Sequence, residues 1–168
     1  MARQIDFRAP IPHPTEIVYA TMVDADYLRA RLQHLGGPGA ALLEHHADAS
    51  GARYRLRQGL DKSMLPPLVQ TLVPGNLVLE RTETIKPAGP GRYDGSVDVQ
   101  VPGAPVTAVG RVRLDGAPGV SEFGVQAEVT VNVPFIGGRI EETVVEQVRN
   151  LLAAETEFTQ EWLRTRAG

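Results

Sequence analysis

The chain has 168 residues, 42% hydrophobic and 22% charged, with a formal net charge of -3, a pI near 5.8 and no cysteine. That length fits one domain, 1–168, with a sizeable core; the acidic balance argues against nucleic-acid binding or an anionic-membrane footprint, and the lack of a thiol excludes disulfides, thiolate metal sites and a cysteine nucleophile. No apolar run is long enough to span a bilayer and Met1–Asp6 lacks a signal-peptide apolar region, so the expectation is a cytoplasmic protein without integral membrane insertion.

Gln4 to Ile11 alternates, with Ile5, Phe7, Ala9 and Ile11 on one face, which predicts a half-buried first strand. Pro12-His13-Pro14 stops it, and Pro14 suits the start of a helix over Thr15 to Val23. Asp24 is placed to cap a second helix carrying Tyr27, Leu28, Leu32 and Leu35 to a stop at Gly36-Gly37. From Ala40 the apolar period becomes two. Strands are predicted at Ala41 to Asp48, Ala52 to Gln58, Asn76 to Lys86, Arg92 to Val101, Val106 to Asp115 and Ser121 to Val133. The last is the cleanest, with Phe123, Val125, Ala127, Val129, Val131 and Val133 in one phase. Short glycine- and proline-rich turns between these strands imply an antiparallel meander.

One stretch breaks that rhythm. Asp61 to Gly75 holds Met64, Leu65, Leu68, Val69, Leu72 and Val73 around Pro66-Pro67 and before Pro74-Gly75, a spacing that suits a short helix or packed loop. It either closes one end of the core or forms a lid over a site.

Gly138 to Gly168 reads as one long amphipathic helix. At about 100° per residue, Ile140, Val144, Val148, Leu151, Phe158 and Trp162 fall on a single stripe, with Glu141, Glu142, Glu146 and Arg149 elsewhere on the wheel. Arg164 and Arg166 complement the dipole at its end. Glu155 lies inside the apolar stripe. A buried carboxylate must be hydrogen-bonded, paired, protonated or beside a wet cavity, so Glu155 is either a structural group tied to backbone or a ligand contact or general acid/base.

The order is strand, two short helices, about six strands, then a long closing helix. In that order, and in Ile11-Pro12-His13-Pro14, Ile17-Val18-Tyr19, Asp24-Ala25-Asp26-Tyr27-Leu28 and the ending Val133-Pro134-Phe135-Ile136-Gly137-Gly138-Arg139-Ile140-Glu141, the chain resembles the START-like superfamily. That group is also called the helix-grip or polyketide cyclase/dehydrase and lipid transport group. The ending looks particularly like its uncharacterised bacterial branch, domain of unknown function 2505. The resemblance implies an α+β fold: a curved antiparallel sheet of about seven strands wrapped around the long C-terminal helix, with two short helices after the first strand and a cavity between sheet and helix. Members of the superfamily bind lipids, sterols, polyketides or plant hormones, and some cyclise or hydrolyse their ligands.

Within that frame the candidate ligand-binding residues are Glu155, His45, Tyr54, Arg81, Tyr93, Leu151, Phe158 and Trp162, with Met64, Leu65, Leu68 and Leu72 as the lid. His45 is in phase with Leu43 and Ala47, and is internal if that apolar phase faces inward. Arg81 and Glu83 share one strand face and would be costly inside unless they line a pocket. The expected partner is a hydrophobic small molecule and the expected state a monomer or homodimer. The alternative is a cyclase-, dehydratase- or hydrolase-like enzyme with Glu155 and His45 as acid and base. No cofactor is expected, and the four histidines lack metal-ligand spacing. Arg53, Arg55 and Arg57 stripe one strand face, either solvated or meeting an acidic partner. Glu155→Gln is expected to alter ligand affinity more than stability.

Overall fold

A computed structural model describes residues 2–60, 67–72 and 77–166, without the side chains of Leu60, Leu68, Val69 and Leu72. Strand β1 (Ala2–Ile11) leads into α1 (Thr15–Met22) and α2 (Ala25–Leu35). Then come β2 (Ala41–Asp48), β3 (Gly51–Leu60), the short helix α3 (Pro67–Leu72), β4 (Leu77–Gly89), β5 (Arg92–Gln100), β6 (Val106–Ala117) and β7 (Val120–Val131), and α4 (Gly137–Arg166) closes the chain. All seven strands form one antiparallel sheet in the order β1-β7-β6-β5-β4-β3-β2. The expected meander is therefore present, with β1 added beside β7. Because β1 and β2 are the two edges, α1 and α2 carry the chain from one side of the sheet to the other.

The local signals act as the residue types require. Asp24 accepts a hydrogen bond from the Tyr27 backbone N–H at 2.9 Å and caps α2. The glycine stop has a second role: Gly59 N–H donates to the Gly36 carbonyl at 2.7 Å, which ties the end of α2 to β3. Gly37 has φ 71°, and a Cβ there would sit 2.7 Å from the Gly59 carbonyl oxygen. Only glycine suits both demands. This clamp fixes the inner face of α2 relative to β3.

Cross-strand register arranges the inner face of the sheet in rows. One row runs Leu56–Arg81–Val99–Ala108–Val129, and the next Tyr54–Glu83–Val97–Gly110–Ala127. Each row is apolar except at β4, which brings Arg81 and then Glu83 inside. Gly95 occupies the inner phase of β5, where a Cβ would lie 2.0 Å from the Thr84 carbonyl oxygen. That closeness reflects tight local coiling of the sheet, which a glycine permits.

Helix α4 packs against β1 and β7 and touches α1 and α2. Its buried positions include Ile140, Glu141, Leu152, Glu155, Thr156, Thr159 and Leu163. The stripe expected from the wheel is thus rotated: Val144, Val148, Leu151, Phe158 and Trp162 are half-buried flanks. Glu141, expected on the solvent face, is buried and accepts from the Val131 backbone N–H at 2.9 Å, extending the end of β7. Among the described residues no helix is long and apolar enough to cross a membrane.

Candidate functional site

Two guanidinium groups and two carboxylates meet between α4 and the sheet. Arg81 of β4 directs Nη1 at both Glu155 oxygens, 3.1 and 3.0 Å away, and Nη2 at Glu83 Oε1, 3.2 Å away. Arg31 of α2 approaches from the other side, its Nε 3.7 Å from Glu155 Oε2, an ion pair outside hydrogen-bond range. All four are buried, at 5% exposure for Arg31, 7% for Arg81, 2% for Glu83 and 4% for Glu155. Gln58 sits beside Glu155, and Tyr54 is the direct cross-strand partner of Glu83.

Electrostatics follow from this packing. Burial alone pushes the Glu155 carboxyl up, but the Arg31 and Arg81 charges and the hydrogen bonds from Arg81 and Gln58 outweigh it and hold the group below the ordinary carboxylate value. Burial also disfavours the charged form of each arginine, but Glu155, together with Glu83 and a neighbouring tyrosine (Tyr27 for Arg31, Tyr54 for Arg81), outweighs it, so both stay cationic. The Tyr54 phenol is pushed well above its ordinary range by burial, with the neighbouring Glu83 adding to the effect.

Around this quartet runs a hydroxyl chain. Thr159 Oγ1 donates to the Glu155 backbone carbonyl at 2.9 Å, one turn back along α4. Its proton is then committed, so the Tyr27 hydroxyl, 2.5 Å from the same oxygen, is the donor of that pair. A cavity of about 20 Å³ opens beside the cluster, lined by Arg31, Arg81, Glu83 and Glu155 with Ile11, Phe123 and other side chains. Its size admits one water-sized group. Several polar atoms here are buried without a hydrogen-bond partner: Arg31 Nε and Nη2, Glu83 Oε2 and Gln58 Oε1.

Glu155, Arg81 and Tyr54 are therefore assembled as candidates on one site, whereas His45 is not. A bulge between Leu42 and Glu44 reverses the phase of β2, so Leu42 rather than Leu43 packs inward, opposite Leu56. Beyond the bulge His45 stands across from Tyr54, but on an edge strand, where it is exposed and its Nε2 lies 2.6 Å from the Val23 carbonyl oxygen. The expected interior His45 is corrected to an edge contact with the end of α1, and the Glu155–His45 acid–base pair is not formed.

Tyr93 stacks on Tyr19, centroids 4.1 Å apart and 10° between planes, away from the quartet. Leu151 is half-buried farther along α4. Phe158 and Trp162 flank Tyr27 at 5.8 and 5.5 Å, so they support the site from behind rather than line its cavity. Trp162, expected in the core, is half-buried, its ring covered by the Arg166 guanidinium at 3.2 Å, and it borders an open surface depression of about 530 Å³. Of the expected lid, Met64 and Leu65 lie outside the described residues, as do the side chains of Leu68 and Leu72, which fall in α3. The arginine stripe on β3 is occupied locally: Arg53 pairs with Glu44 at 3.0 Å, Arg55 with Glu80 at 2.6 Å, and Arg57 donates to the Gly39 carbonyl at 2.8 Å.

Arg31, Gln58, Tyr27 and Thr159 join this candidate site without having been singled out as candidates from the sequence. Signals existed for three of them: Arg31 lies four residues after Tyr27 and three after Leu28 on the apolar stripe of α2, and Gln58 continues the inward phase of Tyr54 and Leu56. Thr159 lies one turn beyond Glu155.

A family model described as "Protein of unknown function (DUF2505)" matches residues 6–163. An uncharacterized protein of Mycobacterium tuberculosis is 30% identical over 97% of this chain and 98% of its own length. Among solved structures, a START superfamily protein from Mycobacterium smegmatis superposes with a TM-score of 0.55 at 14% identity, over 95% of this chain and 98% of that one. Norcoclaurine synthase from Thalictrum flavum, solved in complex with dopamine and hydroxybenzaldehyde, superposes with a TM-score of 0.58 at 12% identity, over 99% of this chain and 88% of that one.

Proposed function

The chain belongs to the DUF2505 family and has the fold of START-like proteins, and from that premise we propose that it binds and carries a hydrophobic small molecule between α4 and the inner face of the sheet. One observation carries the reading. The apolar rows of the inner face remain only half-covered at Val97, Val99, Val106 and Ala108, as does the stretch of α4 holding Val144, Val145, Val148 and Leu151. Helix α4 keeps to the β1–β7 side, and its reach to β4 is made by the long Arg81 and Glu155 side chains rather than by close backbone packing. An apolar groove ending in a few convergent polar groups is the usual form of a small-molecule site. Half-covered apolar surface gains roughly 25 cal/mol per Å² when a ligand removes it from water.

A catalytic reading receives less support. Glu155 is held ionised between two arginines, so it is a poor proton donor near neutral pH, and the histidine that would complete an acid–base pair stands at the sheet edge.

Native mass spectrometry of protein purified from its own host tests the proposal. The expected result is an apolar adduct that organic solvent extracts and that Ala108→Phe, which adds bulk on the half-covered inner face, reduces. Protein that emerges free of adduct, and whose melting temperature is unmoved by a panel of lipids, sterols and aromatic polyketides, would overturn it.

A further inference from the structure

We propose that the buried charge cluster receives the hydroxyl end of an apolar alcohol, in preference to a carboxylate or an ammonium head; this rests on the ligand-binding reading above and names the chemistry of the end that enters. The argument is a matching of open valences. Arg31 presents two buried N–H donors without hydrogen-bond partners, Nε, whose nearest carboxylate is Glu155 at 3.7 Å, and Nη2, and Glu83 presents one buried acceptor without a hydrogen-bond partner, Oε2. Both residues line the same cavity of about 20 Å³. A group placed there has to accept from a guanidinium and donate to a carboxylate, within the volume of a single oxygen and its protons. A hydroxyl does both. A carboxylate cannot donate to Glu83, an ammonium cannot accept from Arg31, and an ether accepts without donating.

Charge points the same way. Arg31 and Arg81 are balanced by Glu83 and Glu155, so the cluster is formally neutral as it stands. An ionised head would leave one uncompensated charge among four groups that are each at least nine-tenths buried, which is strongly disfavoured in a low-dielectric interior. A neutral head leaves the balance unchanged. The apolar remainder of the molecule then lies toward Val97, Val99 and Ala108 of the sheet and Val144 and Val148 of α4, which are half-covered and share the inner side of the fold with Arg81.

Isothermal titration of the full chain at pH 7 with decan-1-ol, decyl methyl ether, decanoate and decylammonium tests this. The expected order places the alcohol about tenfold or more tighter than each of the others, one hydrogen bond or one unpaired charge apart. In Glu83→Gln the cluster gains one net positive charge, and the preference is expected to move toward decanoate by about tenfold relative to wild type. Should that variant fail to fold, the alcohol–ether comparison on the wild-type chain decides alone. Equal affinity for alcohol and ether, or decanoate binding tightest to wild type, would overturn the head-group assignment while leaving a ligand-binding protein. Binding of none of the four would overturn the ligand-binding reading and this assignment with it.

Discussion

Arg81 of β4 sets one guanidinium nitrogen 3.0 and 3.1 Å from the two carboxylate oxygens of Glu155 on α4, across 74 positions of sequence. The contact spans the space that α4 leaves by lying toward β1 and β7, and it makes the middle of the fold depend on compensated charge rather than on apolar packing. A cluster of this kind adds little stability against a hydrophobic equivalent, yet it is costly to break by halves.

Removing the Glu155 charge is therefore expected to act first on stability. Glu155→Gln leaves Arg31 and Arg81 facing Glu83 alone in a buried setting, and the expected loss in urea unfolding is about 3–5 kcal/mol. This reverses the expectation from sequence that affinity would change more than stability, because the carboxylate is a hub of ion pairs and not a lone group beside a cavity. A loss below about 1 kcal/mol would show that the two arginines do not need it.

The same groups set the pH window. Glu155 titrates lower in the folded protein than its ordinary value of 4.5, so its contribution is present above that value and is lost as pH falls through the lower folded pKa. Tyr27 and Tyr54 titrate above their ordinary 10.0; their contribution is complete below pH 10 and is lost as pH rises toward the higher folded values. Chemical denaturation followed from pH 2 to 12 is expected to show acid and alkaline losses on either side of a stable middle region. A steady decline across pH 6 to 8 would contradict it.

Trp162 is expected to matter less than a core tryptophan. It is half-buried, edge-on to Tyr27 at 5.5 Å and capped by Arg166. Trp162→Ala is expected to cost about 1–3 kcal/mol, below the range of about 3–5 kcal/mol for a fully enclosed ring. Thermal unfolding of the variant beside Tyr27→Ala, which removes a fully buried ring, should rank Trp162 as the milder loss.

The architecture was legible because it rests on local signals: the alternation of β7, the Asp24 cap, the Gly36-Gly37 stop and the turns between strands each act over a few residues. The site was legible only in part. A helical wheel takes apolarity as a proxy for depth, and α4 inverts that proxy by burying Glu155, Thr156 and Thr159 while Phe158 and Trp162 move to the flank. The ambiguous phase of Arg81 and Glu83 was itself the clue that β4 carries charge inward. Its counterpart, Arg31, lies 50 positions away on the apolar stripe of α2, and although each segment shows an inward charge, neither shows that the two meet. His45 failed for a different reason: it keeps the inner phase, across from Tyr54, but β2 is an edge of the sheet and leaves it exposed, and a strand's own pattern of apolarity does not say whether it will lie at an edge.

Phe135 offers a test of backbone against side chain. It is fully exposed between β7 and α4 and is the one non-glycine residue with positive φ among the described residues, at 69°. A bulky residue in that region costs about 1–2 kcal/mol, and here no burial of the ring offsets it. Asparagine adopts the left-handed region more readily, through local hydrogen bonding of its short side chain. Phe135→Asn is accordingly expected to leave stability unchanged or raise it by up to about 1 kcal/mol, whereas a phenylalanine with packing duties would lose several. Denaturant unfolding of this one variant distinguishes the two, and a loss beyond about 1 kcal/mol would mean that the ring is engaged in solution by contacts absent from this conformation.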